Sequence, residues 1–354
     1  MFAAAALSCG GSSENTTDTI TSNPTATQAK TSTLPTELIL AKRGNAVFSS
    51  IYGDSSSTPG NLITVKQLDS LLKNPAEADS IFILDTRPRN EWEEQGHIEG
   101  AVWIQMQKVA DPENLEKLPR DKMIVCVSPT GHTAVQVASV LRWLGYDAVV
   151  LKHGMAGWTQ TPGGELMISD VDGGIAKRYP VAMEEPYTQA VTQEPIQRLS
   201  QPPDDEISVL TDAAQTLLHE DVIEKEYAFN HIFADDLYTR LGDPARIDSL
   251  FLLDIRPLEI WQRDGHIDMG NHLLIDWRVL GEPENLAYLP KDKLIVVIGA
   301  TGQTAGQVTV VLRMMGYDAV TLRSGMTAWT ETPDSQDTLT TIKNADYPVV
   351  KETG

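Results

Sequence analysis

The hydrophobic pattern of the chain is dominated by one stretch that occurs twice. Met123 to Tyr146, MIVCVSPTGHTAVQVASVLRWLGY, reads as an apolar strand, a short loop, an amphipathic helix and a glycine stop. Leu294 to Tyr317, LIVVIGATGQTAGQVTVVLRMMGY, repeats that order. The helical stripes are Val135, Ala138 and Leu141 in the first copy and Val308, Leu312 and Met315 in the second. Gly145 and Gly316 follow them as left-handed caps. Around the first copy the pattern predicts a helix over Lys66–Lys73 and a buried strand over Ile81–Leu84. A short helix over Glu91–Gln95, a strand over Val102–Ile104, a last strand over Ala148–Leu151 and a closing helical turn over Gly154–Trp158 complete it. Short apolar strands alternating with helices imply a parallel sheet covered on both faces. Ligands of such sheets bind beyond the carboxyl ends of the strands, where both loops lie. A strand that enters a helix through a tight loop also aims backbone N–H groups at one spot, which suits an anion.

The repetition extends to whole domains. Asp85 and His97 are matched by Asp254 and His266 at one offset, and a short insertion near Met269–Leu274 changes that offset for Pro119 and Trp158, matched by Pro290 and Trp329. The unit is far longer than a solenoid repeat, so duplication of a domain is the reading. Each repeat is preceded by a helical segment. Leu34–Ile51 has Leu38, Ala41, Val47 and Phe48 in helical spacing with a break at Gly44, and Glu206–Glu226 has Leu210, Ala213, Ala214, Leu217 and Leu218. The chain therefore divides into a signal and tether (1–33), a leading helical segment and linker (34–60), domain 1 (61–163), a Pro-rich linker (164–205), a leading helix (206–229), domain 2 (230–335) and a tail (336–354). The ends of the repeats also correspond, Tyr179-Pro180-Val181 to Tyr347-Pro348-Val349.

Composition narrows the partners. Basic residues number 28 against 49 acidic, for a net charge of −21, which argues against nucleic acid or an anionic membrane surface. No apolar run is long enough to cross a bilayer. There are 2 cysteines, Cys9 and Cys126, and Cys126 sits inside an apolar strand, so no disulfide framework is expected. Leu7-Ser8-Cys9-Gly10, followed by a Ser-, Thr-, Asn- and Gln-rich tract, resembles a bacterial lipoprotein signal and its tether, with a short apolar run and no preceding basic residue. It predicts lipidation at Cys9 and a cell-envelope location on the outer side of the cytoplasmic membrane, with a secreted or cytoplasmic protein as the alternative.

Several groups of residues together resemble the rhodanese-like (sulfurtransferase) family, in tandem. Copy one offers Leu84-Asp85-Thr86-Arg87, Glu91-Trp92, Gly96-His97-Ile98-Glu99-Gly100-Ala101, the loop and helix, Gly145-Tyr146 and Gly154 to Trp158. Copy two offers Leu253-Asp254-Ile255-Arg256, Trp261, Gly265-His266-Ile267, Gly316-Tyr317 and Gly325 to Trp329. The resemblance implies an α/β fold of two tandem rhodanese-like domains, each a parallel sheet flanked by helices. It also implies transfer of a sulfane sulfur from a donor such as thiosulfate, through a persulfide on a cysteine at the first position of the loop. A thiolate suits that task because its pKa falls at a helix N-terminus. That position holds Ser128 in copy one and Gly299 in copy two, and the arginine often found two after the loop glycine is replaced by Thr133 and Thr304. Pro129 removes a further N–H from the cradle.

These substitutions direct the expectations. No catalytic residue is assigned, no cofactor is expected, and no His/Cys/Asp group has the spacing of a metal site. The two loops, Ser128, Thr130, Gly131, His132 and Thr133 with Gly299, Ala300, Thr301, Gly302, Gln303 and Thr304, are candidates for binding a small anion. Asp85 with Arg87 and Asp254 with Arg256 are read as ion pairs holding strand ends, and His97 and His266 as hydrogen-bonded structural residues. Cys126 is read as a small buried hydrophobe, matched by Val297. A Ser128–His132 hydrolase pair lacks an orienting carboxylate. The function expected is an inactive rhodanese-like module that binds a protein partner or a small anion. A sulfurtransferase that is residual or acts through Cys126, and a structural envelope spacer, are the alternatives.

Overall fold

In the computed structural model the described residues are 34–50, 61–183, 199–219 and 228–351, without the side chains of 173–177. Cys9, the signal and tether, the end of the first leading segment with its linker (51–60), the middle of the Pro-rich linker (184–198), the end of the second leading helix (220–227) and the last residues of the tail (352–354) lie outside them. The chain opens with α1 (Thr36–Ser50). Repeat one then runs β1 (Leu62–Ile63), α2 (Val65–Leu72), α3 (Pro75–Ala78), β2 (Ile81–Asp85), α4 (Arg89–Gln95), β3 (Val102–Trp103), α5 (Pro112–Leu115), β4 (Met123–Val127), α6 (Ala134–Trp143), β5 (Ala148–Leu151) and α7 (Gly154–Trp158). After α8 (Pro162–Lys177) and α9 (Ile207–His219), repeat two runs β6 (His231–Ile232), α10 (Ala234–Leu241), β7 (Leu250–Asp254), α11 (Leu258–Asp264), β8 (Asn271–Leu274), α12 (Pro283–Leu286), β9 (Leu294–Ile298), α13 (Gln303–Met314), β10 (Ala319–Leu322), α14 (Met326–Trp329) and α15 (Pro333–Lys343).

Each repeat builds a five-stranded sheet, in the order β1-β5-β4-β2-β3 and β6-β10-β9-β7-β8, and every pairing is parallel. The central strands β4 and β9 are apolar throughout because both of their faces are covered. The α2 helix starts where Thr64 and Gln67 form a reciprocal capping box.

Three expectations need correction. Gly44 does not break the leading helix. It is buried in an unbroken α1, where a Cβ would fall on the side chain of Met315 at the end of α13. Glycine is there for close approach, and it is Ile39, Val47 and Phe48 that face the core, while Leu38 lies in solvent. The stretch expected as linker from residue 164 begins instead as α8, with Met167 and Val171 buried and Asp170 bonded at 2.8 Å to Arg323 of repeat two. The tail likewise begins as α15, burying Leu339 and Ile342. Pro-rich composition misreads the linker because a covering helix needs only one apolar stripe.

The two repeats are interlocked. The tail of repeat one completes repeat two: the Tyr179 N–H donates to Trp329 O (3.0 Å), Trp329 Nε1 donates to Pro180 O (3.1 Å), and Ala182 bridges His266. The tail of repeat two completes repeat one in the same way, with Tyr347 on Trp158, Trp158 Nε1 on Pro348 O (2.8 Å) and Val350 bridging His97. Between them, α6 packs on α13 closely enough that a Cβ on Gly306 would meet Val135. One core face of each repeat merges there with α1 and α9 into a single apolar cluster, while the opposite face of each sheet keeps a cluster of its own.

Candidate functional site

The first loop follows β4. Ser128 is fully buried, and its Oγ accepts hydrogen bonds from the backbone N–H groups of Gly131 and Ala134, both at 3.1 Å. The hydroxyl thus holds donors that the loop would otherwise aim at an anion. Behind it, the carbonyl of Ser128 accepts from the Met155 N–H at 2.9 Å. Gly154 adopts φ +55°, and a Cβ there would strike the Ser128 carbonyl oxygen. Repeat two reproduces this contact with Gly325 (φ +57°) against the Gly299 carbonyl, but Gly299 offers no side chain to the cradle.

Of the residues singled out from the sequence, the structure brings the two loops together. Gln303 Nε2 donates to Thr130 O at 3.3 Å, across the repeats, and its corresponding residue His132 packs edge-on against His231 of repeat two. The exchange continues one turn along each helix. Gln136 meets Asn230 (3.3 Å) and the Phe229 carbonyl (2.7 Å), while Gln307 meets Asn61 (3.4 Å). Ser128, Thr130, Gly131, His132, Gly299, Gly302 and Gln303 are all buried, and Thr133, Ala300, Thr301 and Thr304 are half-buried. Each loop is closed by the other.

No serine–histidine pair forms. His132 Nδ1 meets Thr130 Oγ1 at 2.9 Å, and Ser128 Oγ is engaged by backbone. His132 lies edge-on to His231, ring centroids 5.7 Å apart. Burial, with Arg323 nearby, lowers the His132 pKa from 6.5 to about 3. The same burial, with added repulsion from neighbouring Lys152 or Arg323, pushes His153 and His231 well below their ordinary value. All three imidazoles are therefore neutral near neutral pH. His153 and His231 were not visible in the sequence as part of this site. Isolated histidines carry no spacing signal, though His153 directly precedes the repeated Gly154 motif.

Cys126 is fully buried in β4, and desolvation alone pushes its thiol pKa up strongly, away from thiolate formation. At the strand ends, Arg87 Nε and Nη2 grip Asp85 at 2.8–3.0 Å, and Nη2 also donates to Gly96 O at 2.8 Å. Arg256 repeats the arrangement with Asp254 and Gly265. His97 stacks on Trp92 (3.5 Å) and His266 on Trp261 (3.9 Å).

Comparison with known proteins agrees with this architecture. The family model "Rhodanese-like domain" matches residues 64–161 and 233–332, together more than half of the chain. A Bacillus subtilis protein named "Putative sulfurtransferase YtwF" is 34% identical over 88 residues, 25% of this chain and 82% of that protein. "Probable adenylyltransferase/sulfurtransferase MoeZ" of Mycobacterium tuberculosis is 28% identical over 107 residues, which is 30% of this chain; the chain thus spans only 26% of that relative's length. Among solved structures, a rhodanese-like domain protein from Staphylococcus aureus aligns with a TM-score of 0.26 and 27% identity, over 29% of this chain and 94% of that one. A thiosulfate sulfurtransferase from Pseudomonas aeruginosa aligns with a TM-score of 0.24 and 16% identity, over 81% and 68% of the two chains. With two matched domains on two parallel sheets, the chain belongs to the rhodanese-like domain family and carries that domain twice in tandem.

Proposed function

We propose that this protein is a catalytically inactive rhodanese-like module that serves as a binding or scaffold element outside the cytoplasm. The observation that carries the reading is the state of the first loop. Where the resemblance places the sulfur-carrying cysteine, Ser128 Oγ accepts two backbone N–H groups and is fully buried. Its position in repeat two is Gly299, which has nothing to carry sulfur. A serine hydroxyl without a base is a weak nucleophile and forms no persulfide. Because the loops engage each other, a protein partner on the outer surface is favoured over a small anion in the cradle. Location in the envelope rests on the Leu7-Ser8-Cys9-Gly10 join and its polar tether, with Cys9 as the lipidated residue. Loss of membrane association in Cys9→Ser would support that placement; unchanged association would remove it.

The competing reading is thiosulfate sulfurtransfer through Cys126, the activity class named for the relatives. Burial of the thiol and its raised pKa weigh against it. Cyanide-dependent thiosulfate sulfurtransferase turnover decides between the two. No turnover above buffer is expected, with Cys126→Ser indistinguishable from the parent. Turnover abolished by Cys126→Ser would establish the enzyme instead.

A further inference from the structure

Away from the loops, one group of metal-type donors converges among the described residues: His266, Asp268 and His272. All three lie between residues 266 and 272, a short-range group that the expectation of no metal spacing passes over. His266 follows α11 and stacks on Trp261. It is only 5% exposed, and its Nδ1 has no hydrogen-bond partner. His272 stands on the edge strand β8, with its Nε2 3.8 Å from Asp268 Oδ1 and its ring centroid 5.6 Å from that of His266. One donor atom from each of the three lies within 4.8 Å of the other two.

Repeat one supplies a built-in comparison. There β2 pairs Leu84 with Val102 and Asp85 with Trp103, whereas β7 pairs Leu253 with Leu273 and Asp254 with Leu274. Leu252 pairs with His272, so one residue earlier in each ladder places Ala101 at the His272 position. Repeat one therefore presents His97, Glu99 and Ala101, with two donors rather than three. The insertion that lengthens β8 to four residues accompanies the added imidazole.

We propose that His266, Asp268 and His272 bind a divalent transition-metal ion of the zinc class, with remaining coordination positions open to solvent. Two imidazoles and one carboxylate suit zinc, copper(II) or nickel(II), while calcium and magnesium prefer all-oxygen sites. Bonds of about 2.0–2.2 Å require the donors to draw together. Asp268 and His272 are free to rotate toward His266, since their side chains are 53% and 38% exposed. The surface contact between that pair contributes little by itself. His266 also bonds through its backbone to Ala182, so a metal here braces the point where the tail of repeat one joins repeat two.

The test is calorimetric titration of the full, untagged chain with zinc chloride after chelator treatment, near neutral pH. Cobalt(II) absorption serves as an independent readout of coordination. One zinc per chain is expected. His272→Gln and Asp268→Asn should each weaken it at least about tenfold, the lower end of what disturbing even an outer-shell partner costs. His219→Ala, which removes the exposed histidine beside Asp111, should leave binding unchanged. Metal-free thermal unfolding of each variant must match the parent. The proposal is overturned if the parent binds no zinc saturably, or if both His272→Gln and Asp268→Asn bind it as tightly as the parent.

Discussion

Three buried, neutral imidazoles make the interface sensitive to pH. His132 titrates at about 3 in the folded chain against 6.5 ordinarily, and His153 and His231 shift the same way. The fold favours the neutral form, so this contribution is complete above 6.5 and is lost as pH falls from there toward 3. Urea unfolding at about pH 5 should give a lower midpoint than at about pH 7.5, with His132→Gln flattening the difference. Glutamine already occupies the corresponding place, Gln303, in repeat two. The buried Asp85–Arg87 pair makes a second prediction: Arg87→Ala leaves an unpaired carboxylate and should cost about 3–5 kcal/mol, measured by denaturant unfolding. At this scale the sequence made Ser128, Gly299, Asp85 and Arg87 legible because each stands at a fixed place in a repeated motif. His153 and His231 were not, because burial and proximity come from chain crossing between the repeats.

The covering elements determine which parts of the chain depend on which. Tyr347 and Val350 bond to Trp158 and His97, so removing the chain after Asn344 should loosen repeat one, although it deletes only residues that follow repeat two. Limited proteolysis of that truncation should cut first within residues 61–163; a first cut within 230–335 would contradict the exchange of tails. Glycines separate by what they face. Gly154→Ala places a Cβ on backbone atoms at positive φ, whereas Gly44→Ala meets only the movable Met315 side chain. The first should destabilise by more than the about 1–3 kcal/mol typical of overpacking, and the second should fall within it. The correspondence of Tyr179-Pro180-Val181 and Tyr347-Pro348-Val349 was readable in the sequence. That each tail crosses to the other repeat was not, because an apolar stripe specifies burial without specifying the partner.

On the scale of the whole molecule, duplication has turned two loops into a joint. The wholly apolar strands and repeated strand–loop–helix stretches announced the two parallel sheets, while the packing of His132 on His231 and of Gln303 over Thr130 needed the pairing of repeats to be seen. The same joint is lined by neutral Gln136, Gln307, Asn61 and Asn230, which pair across the repeats. Accurate mass measurement of the intact chain after incubation with thiosulfate tests this most directly. The account predicts no added sulfur on any residue. A persulfide mapped to Cys126 would contradict it, because it would require the sealed β4 strand and its loop to open to a donor.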